Sequence, residues 1–402
     1  MVAAITWLDA SSEDQRRMRD IIRLFEDHES RDELGLSQFR DAISDGLFPG
    51  TSTLLTRARY LLFVPWAYSL PPGRISESEV KRRELRTIEA LKGTEDLSGL
   101  LGRRAGKTLK TLPSAIYWSA LRQYGILGDS SVSRQQAATG RGSVSSVFAG
   151  PASAEVPIWH PGLPPVPQGF PHTISDGFAL SRLEAEWLRE RMAKGASGSL
   201  LTHLLYDPPE PEGDVLWLDP AVRRAAGPAA DLVDHAQVFA EIIYGAQLLY
   251  NLMLAEEYEA AGYTAILERV THYSGLLEEW AGSSALNHAM HHWDFGDLRR
   301  TVETIRGSQV HPRTASFVEK WYATIADYGP HEIGSNAHAR SIIARREKQM
   351  KPTLMRLGRP ERLRHWTGGS GAGKLGFRWF QARRILSDIH DGLARTLEAA
   401  NA

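Results

Sequence analysis

Apolar positions recur along most of the chain at helical spacing. Met18, Ile21, Ile22 and Phe25 follow the i, i+3, i+4, i+7 rule, with Arg16, Arg17, Arg19, Asp20 and Arg23 on the other faces. Ahead of them, Ser12-Glu13-Asp14-Gln15 reads as a capping box: the hydroxyl can accept the N3 amide while Gln15 reaches back. A second helix is predicted over Leu36–Asp45, stopping at Gly46. A third is capped by Thr51 or Ser52, buries Leu54, Leu55, Ala58, Leu61 and Leu62, and ends or kinks at Pro65, which lacks the required amide. Glu77–Leu91 and Ser114–Tyr124 come next.

Helical patterning resumes at Ser181. Its clearest stretch is Ala236–Glu257, where Phe239, Ile242, Ile243, Ala246, Leu249, Tyr250, Met253 and Leu254 make a stripe apolar enough for a core helix. Tyr263–Trp280, Leu298–Ile305, Thr314–Tyr328, Ser335–Met350 and Gly376–Leu397 complete the series. Val215–Leu218 is the best strand signal, and no repeat of fixed period appears. The expectation is a mainly α fold.

Between Asp129 and Gly177 the periodicity fails. Proline, glycine and serine fill 21 of these 49 positions, too many to bury the apolar surface that would offset ordering entropy. Trp159-His160-Pro161-Gly162-Leu163-Pro164-Pro165 suggests an extended, polyproline-like run. The segment reads as a connector between an N-terminal helical domain, 1–128, and a C-terminal one, 178–402. A structured crossing loop is the alternative.

The absence of cysteine excludes disulfides, thiolate metal sites and a cysteine nucleophile. Met1–Leu8 has neither the basic nor the apolar region of a signal peptide. The apolar runs Tyr60–Tyr68 and Leu248–Ala255 fall short of the ~18 residues a spanning helix needs. A cytoplasmic protein without a membrane span is expected.

Several catalytic patterns are near misses. Gly368-Gly369-Ser370-Gly371-Ala372-Gly373-Lys374 has phosphate-loop spacing, but Leu375 stands where a magnesium-binding Ser or Thr belongs, and no buried strand precedes it. Gly102-Arg103-Arg104-Ala105-Gly106-Lys107-Thr108 is one residue too short. His288 and His292 share a helical face at the spacing of zinc-binding pairs, with Asp294 or Asp297 as a third ligand, but Ala289 replaces the glutamate base of a metalloprotease. His331-Glu332 lacks its second histidine at the right distance, and His390-Asp391 lacks partners. Asp27, Glu29, Asp32, Glu33, Asp41 and Asp45 are numerous enough to hold magnesium for a nuclease, yet solvated ion pairs explain them equally. No catalytic residue and no cofactor is assigned.

Charge is distributed unevenly. Arg182–Ala339 carries 23 acids against 12 Lys and Arg, whereas Arg340–Arg384 carries 13 Lys and Arg against 2 acids. Cations that release counterions, interleaved with aromatics that can stack on bases, are the footprint of a nucleic-acid binder. Arg356, Arg359, Arg362, Arg364, Lys374, Arg378, Arg383 and Arg384 are the candidate phosphate contacts, and Trp366 and Trp379 the candidate stacking residues. Two other readings stay open: pairing of the basic segment 340–384 with acids of the same domain, and docking of an acidic protein.

Several segments resemble a bacterial family of full-length proteins of unassigned function. They are Trp7-Leu8-Asp9, Arg31-Asp32-Glu33-Leu34-Gly35, Phe48-Pro49-Gly50-Thr51-Ser52-Thr53, Thr56-Arg57-Ala58-Arg59-Tyr60, Phe63-Val64-Pro65-Trp66, Leu112-Pro113-Ser114-Ala115-Ile116-Tyr117-Trp118 and Gly376-Phe377-Arg378-Trp379. The resemblance spans the chain and supplies no catalytic residues. It implies a setting in anti-phage defence islands, beside a helicase or a phospholipase-D-like protein. The reading at this level is a DNA- or RNA-contacting accessory subunit, with a protein-interaction adaptor or a metal-dependent nuclease as alternatives.

Overall fold

The computed structural model describes residues 32–71, 76–106, 109–139, 157–283, 286, 290 and 293–395, and helices supply nearly all of its regular structure. In chain order they are α1 Ser37–Leu47, α2 Tyr60–Ser69, α3 Glu77–Lys92, α4 Pro113–Gln123, α5 Arg134–Thr139, α6 Arg182–Gly195 and α7 Leu200–Leu204. Then follow α8 Pro220–Arg223, α9 Pro228–Ala260, α10 Arg269–Ala281, α11 Phe295–Arg306, α12 Pro312–Tyr328, α13 Ala337–Met350 and α14 Trp379–Ala394. The described residues hold no strand, only an isolated antiparallel bridge between Leu127 and Trp159. The mainly α expectation therefore stands. Val215–Leu218 is corrected from a strand: Leu216–Leu218 winds into a 3-10 turn that ends where Asp219 caps α8.

Contacts group the chain into two interleaved units, Met1–Ala42 with His235–Leu375, and Ile43–Asp234 with Gly376–Ala402. The sequence division at 129–177 does not coincide with these boundaries, since both flanks of that segment belong to the second unit.

The first unit is organised on α9. Phe239, Ile242, Ile243, Ala246, Leu249, Tyr250 and Leu254 are buried, the Phe, Ile and Leu side chains contributing about 1.5–3 kcal/mol each. By length and composition α9 could cross a membrane, but 78% of its apolar window is buried in the protein, as in a core helix. Two tryptophans fix it. Trp280 Nε1 donates to Glu241 O at 2.8 Å, and Trp321 Nε1 to Ile242 O at 2.9 Å. The Trp280 ring needs Gly245 beneath it, because a Cβ there would lie 2.2 Å from Cζ2. Helix α10 starts at Arg269, six residues later than the periodicity predicts, where Glu268 turns the backbone left-handed at φ 60°.

A buried carboxylate ties α13 to the loop after it. Glu347 accepts from Tyr250 Oη at 2.6 Å, from the Arg356 amide at 2.9 Å and from the Leu357 amide at 3.0 Å. Burial, reinforced by Glu347, pushes the Tyr250 phenol above its ordinary pKa.

In the second unit, α2 is buried along Tyr60–Tyr68, Pro65 included. It begins at Tyr60, not at Thr51 or Ser52, because Tyr117 Oη accepts the amides of Thr56 and Arg57 at 2.8 and 3.0 Å and holds this stretch irregular. Ser181 and Glu184 form a capping box on α6. Helix α14 lies close on α6: a Cβ at Gly392 would fall 2.7 Å from Ala185 Cβ.

Residues 157–177 are packed in this unit. Trp66 Nε1 donates to Pro164 O at 2.8 Å, Phe170 stacks on Phe63 with centroids 6.0 Å apart, and Trp159 sets its edge on Tyr68 and Trp118. This portion follows the alternative reading, a structured crossing loop.

Candidate nucleic-acid interface

Most cations of the basic segment are consumed inside the fold. In the first unit, Arg340 is held bidentately by Glu256 at 2.6 and 2.8 Å, and Lys351 pairs with Glu33. Arg346 is 1% exposed and donates to Leu34 O at 2.7 Å, Gly35 O at 2.9 Å and Thr314 Oγ1 at 3.0 Å. Burial lowers its pKa from the arginine value, with Asp32 opposing. Arg356 donates to Ser370 Oγ at 2.7 Å and lies 3.6 Å from Glu33 Oε1. Lys374 reaches Glu241 Oε1 at 3.1 Å and sits over the Tyr244 ring.

Three more belong to the second unit. Arg378 donates to Asp45 Oδ1 at 2.6 Å and Thr51 O at 2.8 Å. Arg383 bonds Gly213 O, with Asp214 3.7 Å away, and Arg384 donates to Ser98 Oγ at 2.6 Å. Internal pairing thus accounts for five of the eight candidate phosphate contacts: Arg356, Lys374, Arg378, Arg383 and Arg384.

Arg359, Arg362 and Arg364 differ. No carboxylate partner for them stands among the described residues, and Arg362, Arg364 and neighbouring His365 are exposed. They lie on and beside the 3-10 turn Pro360–Leu363, which Arg359 precedes as its N-cap. Glu361 is the only acid within this turn. On α13, exposed Arg345 and Lys348 likewise share a face at i, i+3 and have no such partner among the described residues.

The candidate stacking residues are core residues instead. Trp366 is 5% exposed, donates to Ser370 Oγ at 3.0 Å and packs on Tyr258. Trp379 is 2% exposed, donates to Gly213 O at 2.9 Å and packs on Phe48.

The loop with phosphate-loop spacing is clamped shut. Tyr273 Oη donates to Gly368 O at 2.7 Å. Asn251 accepts the Ser370 amide at 2.7 Å and donates to its carbonyl at 3.0 Å. Lys374 is also engaged, by Glu241, so the Gly368 carbonyl, the Ser370 backbone and the lysine are all bonded within the protein.

His288 and His292 lie outside the described residues, as do Asp27 and Glu29. The suggested third ligands are otherwise employed: Asp294 caps α11, and Asp297 meets His235 at 3.2 Å and Arg300 at 3.2 Å. The described residues contain no group of three metal-capable side chains. Of the N-terminal acids, Asp32 accepts the Leu36 and Ser37 amides at 2.6 Å each, and Glu33, Asp41 and Asp45 are in ion pairs.

The Thr56–Tyr60 segment also turns inward. Arg57 is bonded to Asp388 at 2.9–3.0 Å and to Asp96, beneath the Phe178 ring, and Arg59 pairs with Glu184 at 3.0 Å. The pairs with Asp388 and Glu184 are buried ion pairs of the fold, while Asp96 is exposed. Comparison with curated proteins and with solved structures gives no match. A family model described as a family of unknown function (DUF6361) covers residues 2–393, and the chain belongs to that family.

Proposed function

We propose that the protein contacts the phosphate backbone of DNA or RNA through Arg359, Arg362, Arg364 and His365, with Arg345 and Lys348 on α13 as further cations. In this reading it is an accessory subunit of a cytoplasmic prokaryotic assembly. The anti-phage setting, and a helicase or phospholipase-D-like companion, rest on the family resemblance alone. The observation that carries the reading is the contrast within the basic segment: eight cations have internal partners, whereas Arg345, Lys348, Arg362 and Arg364 are exposed and Arg359 half-buried, none with a carboxylate partner among the described residues. A partnered cation must break a bond to reach phosphate, whereas an exposed one only releases its hydration and counterions.

The test is a salt-titrated binding measurement with labelled duplex and single strands. Replacing Arg359, Arg362 and Arg364 by Ala should flatten the log–log salt dependence on duplex by about 2.7, or 0.9 for each of three contacts, with unchanged melting. Replacing Arg378 and Arg383 should lower melting and leave the slope alone. A folded wild-type protein without affinity at low salt, or a triple variant with the wild-type slope, rejects the reading. Loss confined to capture of a protein partner would favour the adaptor alternative.

A further inference from the structure

In the second unit, a cavity of about 530 Å³ opens between the C-terminal ends of α4 and α6, within the range of small-ligand sites. Its wall is built by the short pairing of 126–128 with 158–160: the Gly128 amide donates to Ile158 O at 2.8 Å and the His160 amide to Ile126 O at 2.9 Å. Gly128 is required there, since a Cβ would come within 2.4 Å of Pro157 O. Into this cavity face Arg122, Arg191, Lys194 and His160, and no carboxylate lines it. Arg122 and Lys194 are exposed and have no ion-pair partner among the described residues.

Two groups at the cavity lack acceptors. Arg191 is 8% exposed; its Nη2 reaches Glu190 at 2.6 Å, but its buried Nε has no hydrogen-bond partner among the described residues. His160 Nδ1 accepts the Gly162 amide at 3.0 Å, which assigns the proton of a neutral ring to Nε2. That Nε2 lies 3.0 Å from Arg191 Nη1, a group that only donates, so donor faces donor. Burial, then Arg191 and Lys194, lower the His160 pKa with Glu190 opposing, which favours the neutral ring. An oxyanion beside Nε2 and the guanidinium accepts from both and resolves the conflict.

We infer that this cavity binds the terminal phosphate of a small phosphomonoester, held by Arg191, Arg122, Lys194 and His160. Three cations without a lining carboxylate suit a dianion. The depth of Arg191 favours a terminal phosphate over a backbone phosphodiester, whose two flanking sugars would have to follow it in. The inference is independent of the nucleic-acid reading, which concerns other residues in the other unit.

Calorimetric titration of the full chain with inorganic phosphate, AMP and adenosine tests it. Phosphate and AMP should bind at millimolar concentration or below, and adenosine should not. Arg191→Gln should weaken AMP binding by about tenfold or more, as for the loss of a charge-assisted bond. Because Arg191 is buried, the exposed pair Arg122→Ser and Lys194→Ser gives the second reading, each weakening AMP by about threefold in a folded protein. No heat with phosphate or AMP overturns the inference. So do exposed variants that lower melting yet leave the titration unchanged, the result expected if these cations only complement the helix ends.

Discussion

Glu84 on α3 allows a burial effect to be read from a pH profile. Its carboxylate is 2% exposed and accepts the Ser114 amide at 2.7 Å and Ser114 Oγ at 3.0 Å, at the N-terminus of α4. Burial outweighs these bonds and the pull of Arg134, and pushes its pKa from 4.5 up to about 7. Below pH 4.5 folded and unfolded chains both hold the proton. Between 4.5 and 7 the unfolded chain releases it first, so stability falls as pH rises. Above 7 both are ionised and the full penalty remains, about 3 kcal/mol at 1.36 kcal/mol per unit. Glu84→Gln removes the titration: its Oε1 still accepts the Ser114 amide, and the serine hydroxyl turns to accept from its Nε2. Urea unfolding of both proteins from pH 5 to 8.5 should show a stability difference shifting by about 2.5 kcal/mol in the variant's favour. Any pH-independent cost of the substitution drops out of that shift. A difference that stays flat within about 1 kcal/mol refutes the argument.

Two further substitutions probe the first unit. Arg346→Met strands the carbonyls of Leu34 and Gly35 and should cost about 3–5 kcal/mol in urea unfolding, although no carboxylate is lost with the cation. Gly245→Ala forces its new methyl group against the Trp280 ring and should cost about 1–3 kcal/mol, visible as a lower melting temperature with a red-shifted tryptophan emission.

What the sequence made legible was local. Helix α9 was readable because its buried stripe repeats within a few residues, and α4 because Pro113 marks its first turn. The start of α2 was not, because Thr51–Arg59 is shaped by Tyr117, some sixty positions away. The charge of the basic segment could be counted, but not its pairing: Glu33 serves Lys351, and Asp45 serves Arg378, from the far end of the chain. The tryptophans followed the same rule, since a buried and a stacking indole look alike in sequence. The phosphate cavity left no local sign, as Arg122, His160 and Arg191 meet only through folding.

The bond between Arg57 and Asp388 spans 331 positions. At 5–20 residues per second, a ribosome that has made Arg57 needs roughly 17–66 s to reach its partner. Through that interval the emerging second unit holds a guanidinium destined for burial, while the 141-residue stretch His235–Leu375, which belongs to the other unit, is still being made. The order of synthesis therefore opposes the order of packing: until α14 appears, Arg57 has the exposed carboxylate of Asp96 but not its buried partner Asp388. During those tens of seconds the face of α6 on which α14 later packs at Ala185 lacks its cover.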